Sequence, residues 1–263
     1  MRSSALGPCI LPLMRELRGL PLTTFVVGDA REAAREVAAE MAALVAKQPA
    51  CSLGLATGHT PISTYAELVE LHHKGLDLSR VRTFNLDEYE ELPAENEGSF
   101  RAFMGRHLFE PAGFDPRHTH FPVRRTADED PVLAAARFEA HIAEAGGIDL
   151  QLLGIGGNGH IAFNEPGSEP TTRTRRVELS PSTREANAVD FPNGTPVPTH
   201  AMTMGIETIL QALRLRILAF GAHKAEIVRR TLQAETSPEV PATFLRQHPD
   251  AVLWIDEAAA ALL

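Results

Sequence analysis

The chain has 263 residues, of which 44% are hydrophobic and 22% are charged, an ordinary balance for a globular domain with a full core. Its formal net charge of −9 argues against nucleic acids and anionic membranes as partners, so an anionic ligand would need a locally cationic pocket. The two cysteines, Cys9 and Cys51, show neither metal-ligand spacing nor a disulfide framework, which predicts a reducing compartment such as the cytoplasm.

The first residues form a short apolar stretch that does not fit a secretory signal. Pro8 and Pro12 interrupt the stretch, and no small-residue cleavage site follows it. We therefore expect residues 1–21 to be a disordered extension and residues 22–263 to form one domain. No window of the sequence approaches the roughly 20 apolar residues of a membrane-spanning helix.

From residue 22 onward, strands and helices alternate along the chain. Short apolar runs predict strands at 22–27, 51–56, 81–86, 150–155, 215–220 and 252–255. Helical spacing predicts helices at 30–47, 62–73, 99–108, 131–145, 205–212 and 223–234, with a terminal helix after the last strand. The alternation predicts a single-domain, Rossmann-like α/β fold, in which a doubly wound, mostly parallel sheet carries helices on both faces. A polar segment at about 167–198 exceeds the usual loop length and is interpreted as a lid.

Open sheets of this kind bind ligands beyond the carboxyl ends of their strands, and three predicted ends carry polar groups. The first end leads into Thr57, Gly58, His59 and Thr60, directly before a predicted helix. Hydroxyls, a glycine and the free backbone N–H groups of a helix start form a cradle for phosphate. The run lacks the lysine of a nucleotide-binding P-loop, and a plain capped helix start is the alternative interpretation.

The second end carries Asp87, within the sequence FNLDEY. A carboxylate directly after an apolar strand is well placed to be buried and to act as a general base. A helix-capping aspartate is the alternative interpretation. The nearby glutamates are expected to lie in a solvated loop: Glu88, Glu90, Glu91, Glu95 and Glu97.

The third end runs into the glycine-rich sequence LGIGGNGHIAFNEP, which offers an amide, an imidazole and a carboxylate. His160 titrates near neutral pH, so it can both accept and return a proton. The loop can fold Glu165 onto the second ring nitrogen, with Asn158 beside it, and so support the imidazolium. The alternative is a glycine-rich turn with a capping asparagine and a surface histidine. No histidine or cysteine lies at metal-ligand spacing from His160, so no metal is expected.

Six segments of the chain resemble the glucosamine-6-phosphate deaminases and the closely similar galactosamine-6-phosphate deaminase/isomerases. They are SLGLATGHTPISTYAELVELH, TFNLDEYEELP, DLQLLGIGGNGHIAFNEPGS, TRTRRVELSPSTREAN, PTHAMTMGIETIL and GAHKAEIVRRTL. The likeness extends over residues 22–257, and FNLDEY together with GNGHIAFNEP is specific to the deaminases. The wider superfamily, which includes 6-phosphogluconolactonases, shares the fold and the phosphate loop.

The resemblance implies an isomerising deaminase that converts glucosamine 6-phosphate, or galactosamine 6-phosphate, to the ketohexose 6-phosphate and ammonia. By the same likeness, His160 opens the pyranose ring, with Glu165 and Asn158 in support. Asp87 then moves a proton from C2 to C1, and the imine at C2 is hydrolysed. The 6-phosphate is expected on Thr57, Gly58, His59, Thr60, Arg184 and Lys224, although the last two, taken alone, are ordinary surface cations. Neither a metal nor a redox cofactor is implied, and the C4 epimer and self-association into a homo-oligomer stay open.

Two features depart from the family pattern, one in the catalytic relay and one in the effector site. Asn158 stands where the allosteric deaminases carry an aspartate, so Glu165 must supply more of the charge that stabilises the imidazolium. Those members bind the effector N-acetylglucosamine 6-phosphate with a cationic set that this chain keeps only in part. Arg175 matches one member of the set, but Val177 replaces a lysine and Glu169 a small polar residue.

Two other functions remain as alternatives. One is a sugar-phosphate lactonase of the same superfamily, which hydrolyses without isomerising, and the sequence AFNEP argues against it. The other is a non-catalytic, sugar-phosphate-sensing domain of a transcription regulator. Such a regulator needs a basic helix-turn-helix, which we do not expect in the roughly 20 residues before Leu22.

Overall fold

A mostly parallel, eight-stranded sheet forms the centre of the fold, and the computed structural model describes residues 14–92, 96–124, 126–191 and 195–263. The strands of this sheet are β1 (Arg15–Leu17), β2 (Thr23–Val27), β3 (Ser52–Leu55), β4 (Arg82–Asn85), β6 (Thr119–His120), β7 (Leu150–Gly154), β10 (Leu215–Ala219) and β11 (Ala251–Asp256). They lie in the order β1-β2-β11-β10-β7-β3-β4-β6, and every neighbouring pair is parallel except β1 with β2. The carboxyl ends of the parallel strands therefore meet along one edge, where such sheets bind ligands.

A second, antiparallel sheet has the order β5 (Asp87–Tyr89), β9 (His200–Thr203), β8 (Arg175–Glu178). The chain crosses between the two sheets at Leu86. The Leu86 N–H donates to the Leu55 carbonyl at 3.1 Å, and the Leu86 carbonyl accepts from the Met204 N–H at 2.6 Å. β5 thus follows β4 after a single residue but pairs within the small sheet.

The helices within the described residues follow the predicted alternation. They are α1 (Ala30–Lys47), α2 (Ile62–His73), α3 (Phe100–Met104), α4 (Pro131–Glu144), α5 (Pro181–Asn187), α6 (Ile206–Leu210) and α7 (Ala225–Gln233). α3 continues directly into a π-helical turn, Gly105–Phe109. Asp29, Ser99, Asp130 and Ser180 cap α1, α3, α4 and α5, each accepting a backbone N–H of the first turn with its side-chain oxygen.

Two hydrophobic cores, one on each face of the large sheet, hold these helices in place. Along β7, Leu152 belongs to one core and Leu153 to the other, and Leu218 and Ile217 divide in the same way along β10. Successive side chains of a strand point to opposite faces, so both faces are covered. α1 and α2 pack in the core of Leu152, whereas α4, α6 and α7 pack in the core of Leu153. The predicted doubly wound α/β fold is confirmed.

Two expectations about the chain ends are wrong. Arg15–Leu17 pairs antiparallel with β2, so part of the expected disordered extension is an edge strand, while residues 1–13 lie outside the described residues. Pairing satisfies the backbone groups of this short segment, which no side-chain pattern announces. Residues 257–262 form turns instead of the expected terminal helix. Six residues are too few to offset the cost of helix nucleation without strong packing.

Two internal expectations also need correction. The segment expected as a polar lid contains β8 and α5, so much of it is regular structure. Glu88 and Glu90 are each only 5% exposed, although both were expected in a solvated loop. Glu88 is buried against the start of α3, whose amides it accepts, and Glu90, directly after β5, is buried in ion pairs with Arg124 and Arg176. Glu91 and Glu97 are exposed as expected, and Glu95 lies outside the described residues.

Candidate active site

A cleft of about 510 Å³ opens at the carboxyl ends of β3, β4 and β7. Residues 57–60, Asp87 and His160 all line it, so the three strand ends singled out in the sequence do converge. α3, the lid segment and Lys224 complete the wall. The cleft therefore combines titratable side chains with a loop that can receive an anion.

The loop of residues 57–60 lies between β3 and α2. Gly58 has a φ of +89°, which L-residues with side chains rarely adopt, so this turn favours glycine. No side chain caps α2 at Pro61, so the alternative interpretation as a capped helix start is not supported. The Tyr65 hydroxyl donates to the Ala56 carbonyl and fixes the helix against the strand end. The loop presents a helix start without a side-chain cap, an arrangement that favours an anion.

Lys224 supplies the cation that this loop lacks. It lies in the 3₁₀ turn Ala222–Lys224 after β10, and its Nζ donates to the Ile155 carbonyl at 2.7 Å. The preceding Gly221 has a φ of +90°, and its N–H donates to both carboxylate oxygens of Asp256 at 3.0 Å. Burial lowers the pKa of Lys224. Because burial disfavours an unpaired ammonium, a nearby anionic ligand would stabilise its charged form.

Asp87 begins β5 and lines the cleft with only 6% of its surface exposed. Burial, and after it the negative charge of the neighbouring Glu88, raise the pKa of Asp87 to about 8. The alternation of β5 places Asp87 and Tyr89 in the cleft wall, whereas Glu88 and Glu90 do not line it. Since Asp87 lies in a strand, the helix-cap interpretation is wrong. Once ionised, this carboxylate is a stronger base than a free aspartate.

His160 faces the cleft with Glu165 behind its ring. The His160 Nδ1 lies 3.8 Å from the Glu165 Oε2, close enough for an electrostatic contact but too far for a hydrogen bond. Burial lowers the pKa of His160, Glu165 opposes that shift, and Lys224 adds to it. The balance favours a neutral imidazole, with a carboxylate in place to stabilise a proton that arrives.

Several donors orient Glu165. The Asn158 Nδ2 donates to Glu165 Oε2 at 2.8 Å, and the Asn158 Oδ1 accepts the His160 backbone N–H at 3.1 Å. From α5, the Thr183 hydroxyl donates to Glu165 Oε1, and the Ser180 hydroxyl does so at 3.4 Å. Asn158 therefore links the histidine backbone to the carboxylate. An amide performs this task without adding charge, and the aspartate of allosteric deaminases would carry one.

The shape of the glycine-rich loop follows from the histidine that it surrounds. A Cβ on Gly156 would lie 2.2 Å from atoms of the His160 ring, so only glycine fits beside it. Ala162 has a φ of +51°, an uncommon conformation for a residue with a side chain and one that is concentrated at functional loops. The fully buried Asn164 donates to the carbonyls of Ile161 and Met204 at 2.9 and 2.8 Å. These bonds fix the loop against β9.

Among the six residues predicted to bind the phosphate, Arg184 alone does not line the cleft; of the predicted catalytic residues, Asn158 and Glu165 lie behind its wall. The neighbours of Arg184 on α5, Thr183 and Asn187, line the cleft. The Arg184 Nε is buried and, among the described residues, has no hydrogen-bond partner. The Asn187 Nδ2 donates to the Tyr89 hydroxyl at 2.8 Å, which joins the lid to β5.

One wall of the cleft was missed by the sequence analysis. α3 and the π-helical turn contribute Phe100, Phe103, Arg106 and His107. Burial first, then Arg106 and His59, lower the pKa of His107. π-helical turns frequently occur at functional sites, but the spacing of residues 99–108 predicted only an ordinary helix. The sequence signal that could have indicated this wall is the basic pair Arg106 and His107 after two phenylalanines.

The described residues offer neither a cluster of metal ligands nor a membrane-spanning helix. No group of three or more histidine, cysteine, aspartate or glutamate side chains in residues 14–92, 96–124, 126–191 and 195–263 is arranged to hold a metal ion. Over the same residues, no helix has the length and apolar character needed to cross a membrane.

Comparisons with known proteins agree with this geometry. Residues 29–254 match the family described as glucosamine-6-phosphate isomerases/6-phosphogluconolactonase. A glucosamine-6-phosphate deaminase of Rhodopirellula baltica is 48% identical over 239 residues, which cover 90% of this chain and 94% of that protein. A solved structure of a monomeric glucosamine-6-phosphate deaminase has a TM-score of 0.86 and 38% identity, covering 91% of this chain and 99% of that one. A 6-phosphogluconolactonase of Trypanosoma cruzi shares the fold with a TM-score of 0.71, but only 19% identity over 91% of this chain and 96% of that one.

Proposed function

This chain belongs to the family of glucosamine-6-phosphate isomerases and 6-phosphogluconolactonases, and we propose that it is an isomerising glucosamine-6-phosphate deaminase. The observation that carries the proposal is one cleft that holds a buried carboxyl with a pKa of about 8 and a histidine–glutamate pair. The reaction converts the amino sugar phosphate to the ketohexose 6-phosphate and ammonia. It needs one group that moves a proton between oxygens and another that moves a proton between carbons.

The 6-phosphate is assigned to residues 57–60 and Lys224. The start of α2 and its preceding glycine turn supply backbone N–H groups, and the half-buried Lys224 supplies charge. Arg184 would join them only through a movement of α5, because its side chain is not in the cleft wall. Anchoring the phosphate at this end fixes the distance from the sugar carbons to the opposite groups.

His160 is assigned to ring opening. Its burial favours the neutral imidazole, which can accept the proton of the O1 hydroxyl and give it to the ring oxygen O5. The C1–O5 bond breaks as this proton arrives, which leaves an open-chain aldehyde. Glu165, oriented by Asn158, stabilises the imidazolium that exists between the two transfers.

Asp87 is assigned to the isomerisation. As a carboxylate it removes the proton from C2, and the electrons of the C–H bond form the C1=C2 double bond of an enolamine. The C1=O π electrons move to O1, which takes up a proton from water, and the later hydrolysis of the iminium releases a proton in turn. The same carboxyl then returns the proton to C1, which leaves an iminium at C2. Water adds to C2 and ammonia departs, giving the ketone. A protonated substrate amine near the carboxyl would favour its ionised form, because an opposite charge lowers the pKa of an acid.

A paired assay tests this function. The protein is incubated with glucosamine 6-phosphate or galactosamine 6-phosphate, and ammonia and ketohexose phosphate are measured together. We expect the two products in equal amounts from at least one sugar. Hydrolysis of 6-phosphogluconolactone without ammonia release from either amino sugar would instead support the lactonase alternative. Binding of the sugar without turnover would support a sensing domain.

The cellular setting is also proposed. We place the enzyme in the cytoplasm, because sugar phosphates are charged and do not cross membranes freely, and cell fractionation tests this location. Self-association into a homo-oligomer stays a prediction. Light scattering at the enzyme concentrations used in the assay tests it by measuring the molar mass in solution. A relative of similar structure is described as monomeric.

A further inference from the structure

Glu88 is a buried carboxylate that the proposed chemistry does not use. It follows Asp87 in β5, but the alternation of the strand directs it away from the cleft. Only 5% of its surface is exposed. A carboxylate is rarely buried to this degree unless strong donors compensate for the loss of water.

Its partners are three backbone amides, two of which belong to another element, α3. The Glu88 Oε1 accepts the Phe100 N–H at 3.0 Å and the N–H of Tyr89 at 2.9 Å. The Glu88 Oε2 accepts the Arg101 N–H at 2.8 Å. The next amide of the turn, that of Ala102, donates to the Ser99 hydroxyl at 3.0 Å. Glu88 therefore satisfies the first two amides of α3, both of which lack partners within the helix.

This bond joins the two walls of the cleft. β5 carries Asp87, whereas α3 and the π-helical turn carry Phe100, Phe103, Arg106 and His107. Phe100 also packs against Tyr89, with 4.6 Å between the ring centroids. The spacing between Asp87 and the opposite wall thus depends on how firmly α3 is held to β5.

We propose that Glu88 is a positioning residue, which binds the start of α3 to β5 through both carboxylate oxygens. It thereby holds the cleft wall formed by α3 and the π-helical turn at a fixed distance from Asp87. The assignment rests on the proposed function for its catalytic consequence, but the contact exists in the protein without substrate. Both oxygens must be acceptors, because each faces a backbone N–H. Glutamine offers only one acceptor and turns an NH₂ group toward a donor.

The charge of Glu88 gives a second, separable consequence. The other titratable or charged groups that line the cleft are His59, Glu97, Arg106, His107, His160 and Lys224. Glu88 raises the pKa of Asp87 through its charge. Burial raises the pKa of Glu88 itself, while the amides of Phe100, Arg101 and Tyr89 favour its ionised form. Removing that charge should move the acidic limb of the kcat/KM profile to lower pH, since the free enzyme must ionise Asp87.

The experiment compares Glu88→Gln, Glu88→Asp and Glu90→Gln with the wild-type protein. Glu90 is a matched control, because it is an equally buried carboxylate of the same segment that pairs with Arg124 and Arg176 instead of α3. Amide hydrogen exchange is measured at Phe100 and Arg101 without substrate, with α1 as the internal reference. The pH profile of kcat/KM is then recorded for each protein.

In Glu88→Gln we expect exchange at both amides to rise about tenfold or more relative to α1, and the acidic limb to shift to lower pH. Glu88→Asp keeps the charge but is one methylene shorter, so exchange should rise while the limb stays in place. Glu90→Gln should change neither. If Glu88→Gln does not fold, Glu88→Asp still tests the attachment by exchange.

Unchanged exchange at both amides in the variants would overturn the positioning role, and an unshifted limb in Glu88→Gln would overturn the influence on Asp87. Exchange that rises equally in α1 would show a general loss of stability and would also overturn the assignment. Failure of the proposed function is distinguishable, because it would appear as a lack of ammonia release in the wild-type protein. The exchange measurement does not depend on that activity.

Discussion

Replacing Asp87 with asparagine is expected to stabilise the protein while it abolishes turnover. In the unfolded chain an aspartate ionises near pH 4, whereas burial and the charge of Glu88 raise the pKa of Asp87 to about 8 in the folded protein. Between these values the folded state binds the proton that the unfolded state has lost. Wild-type stability therefore falls as the pH rises through this window. Asparagine stays neutral at every pH, so the variant lacks this loss.

The magnitude follows from the linkage between proton binding and folding. A difference of one bound proton changes the free energy of unfolding by about 1.4 kcal/mol per pH unit. From about pH 6 to about pH 8, the gain of the variant over wild type should grow by up to about 2–3 kcal/mol. For a chain of this size, that corresponds to roughly 5–10 °C in Tm.

The Tm of wild type and of Asp87→Asn is measured from about pH 5 to about pH 8, and the difference between them should grow with pH. Glu36→Gln, on the exposed face of α1, is the control. A Tm difference that stays constant across the series would refute the reasoning about the raised pKa of Asp87. The same variant should bind substrate but lose solvent-deuterium exchange at C2. Exchange at the wild-type rate would show that another group is the base.

Three further outcomes test the site. The kcat/KM value should rise with pH, reach half of its plateau at about pH 8 and level off above that, because Asp87 must be ionised in the free enzyme, and a plateau already at about pH 6 would contradict this. Lys224→Ala should raise the KM for the phosphorylated sugar about 10- to 150-fold, since a charge-assisted contact contributes about 1.5–3 kcal/mol. Exposed Lys47→Ala is the control, and an unchanged KM in Lys224→Ala would place the phosphate elsewhere. N-Acetylglucosamine 6-phosphate at millimolar concentration should leave the curve of rate against substrate concentration unchanged. Arg175 already donates to the Asn164 side-chain oxygen at 2.8 Å, and the negative charge of Glu169 repels an anion. A sigmoidal curve that becomes hyperbolic on its addition would count against this expectation.

The loops of the site could be predicted because their signals are local. Gly58 permits a turn that few residues can form, and it stands between an apolar strand and a helix with regular spacing. The strand before the His160 loop is equally clear, so parallel alternation alone brings the two loops to the same edge. The exact relation between His160 and Glu165 could not be read from spacing. It depends on Asn158 and on two hydroxyls of α5 that lie far along the chain.

The small sheet escaped prediction for a physical reason. Its strands have three or four residues each, and β8 is half exposed, so no periodic pattern develops. What makes β5 a strand is its pairing with β9, in which Glu88 lies opposite Met202, 114 positions later in the chain.

The lid shows how the parts of the site depend on one another. Arg184 can reach a bound phosphate only if α5 moves, yet α5 also carries Thr183, which donates to Glu165. Asn187 of the same helix donates to the Tyr89 hydroxyl on the strand that begins with Asp87. A movement of α5 that brings Arg184 to the phosphate must therefore change the support of Glu165, of β5, or of both. In the proposed mechanism, phosphate capture by the lid and the placement of the two proton-transfer groups would consequently be coupled through one short helix.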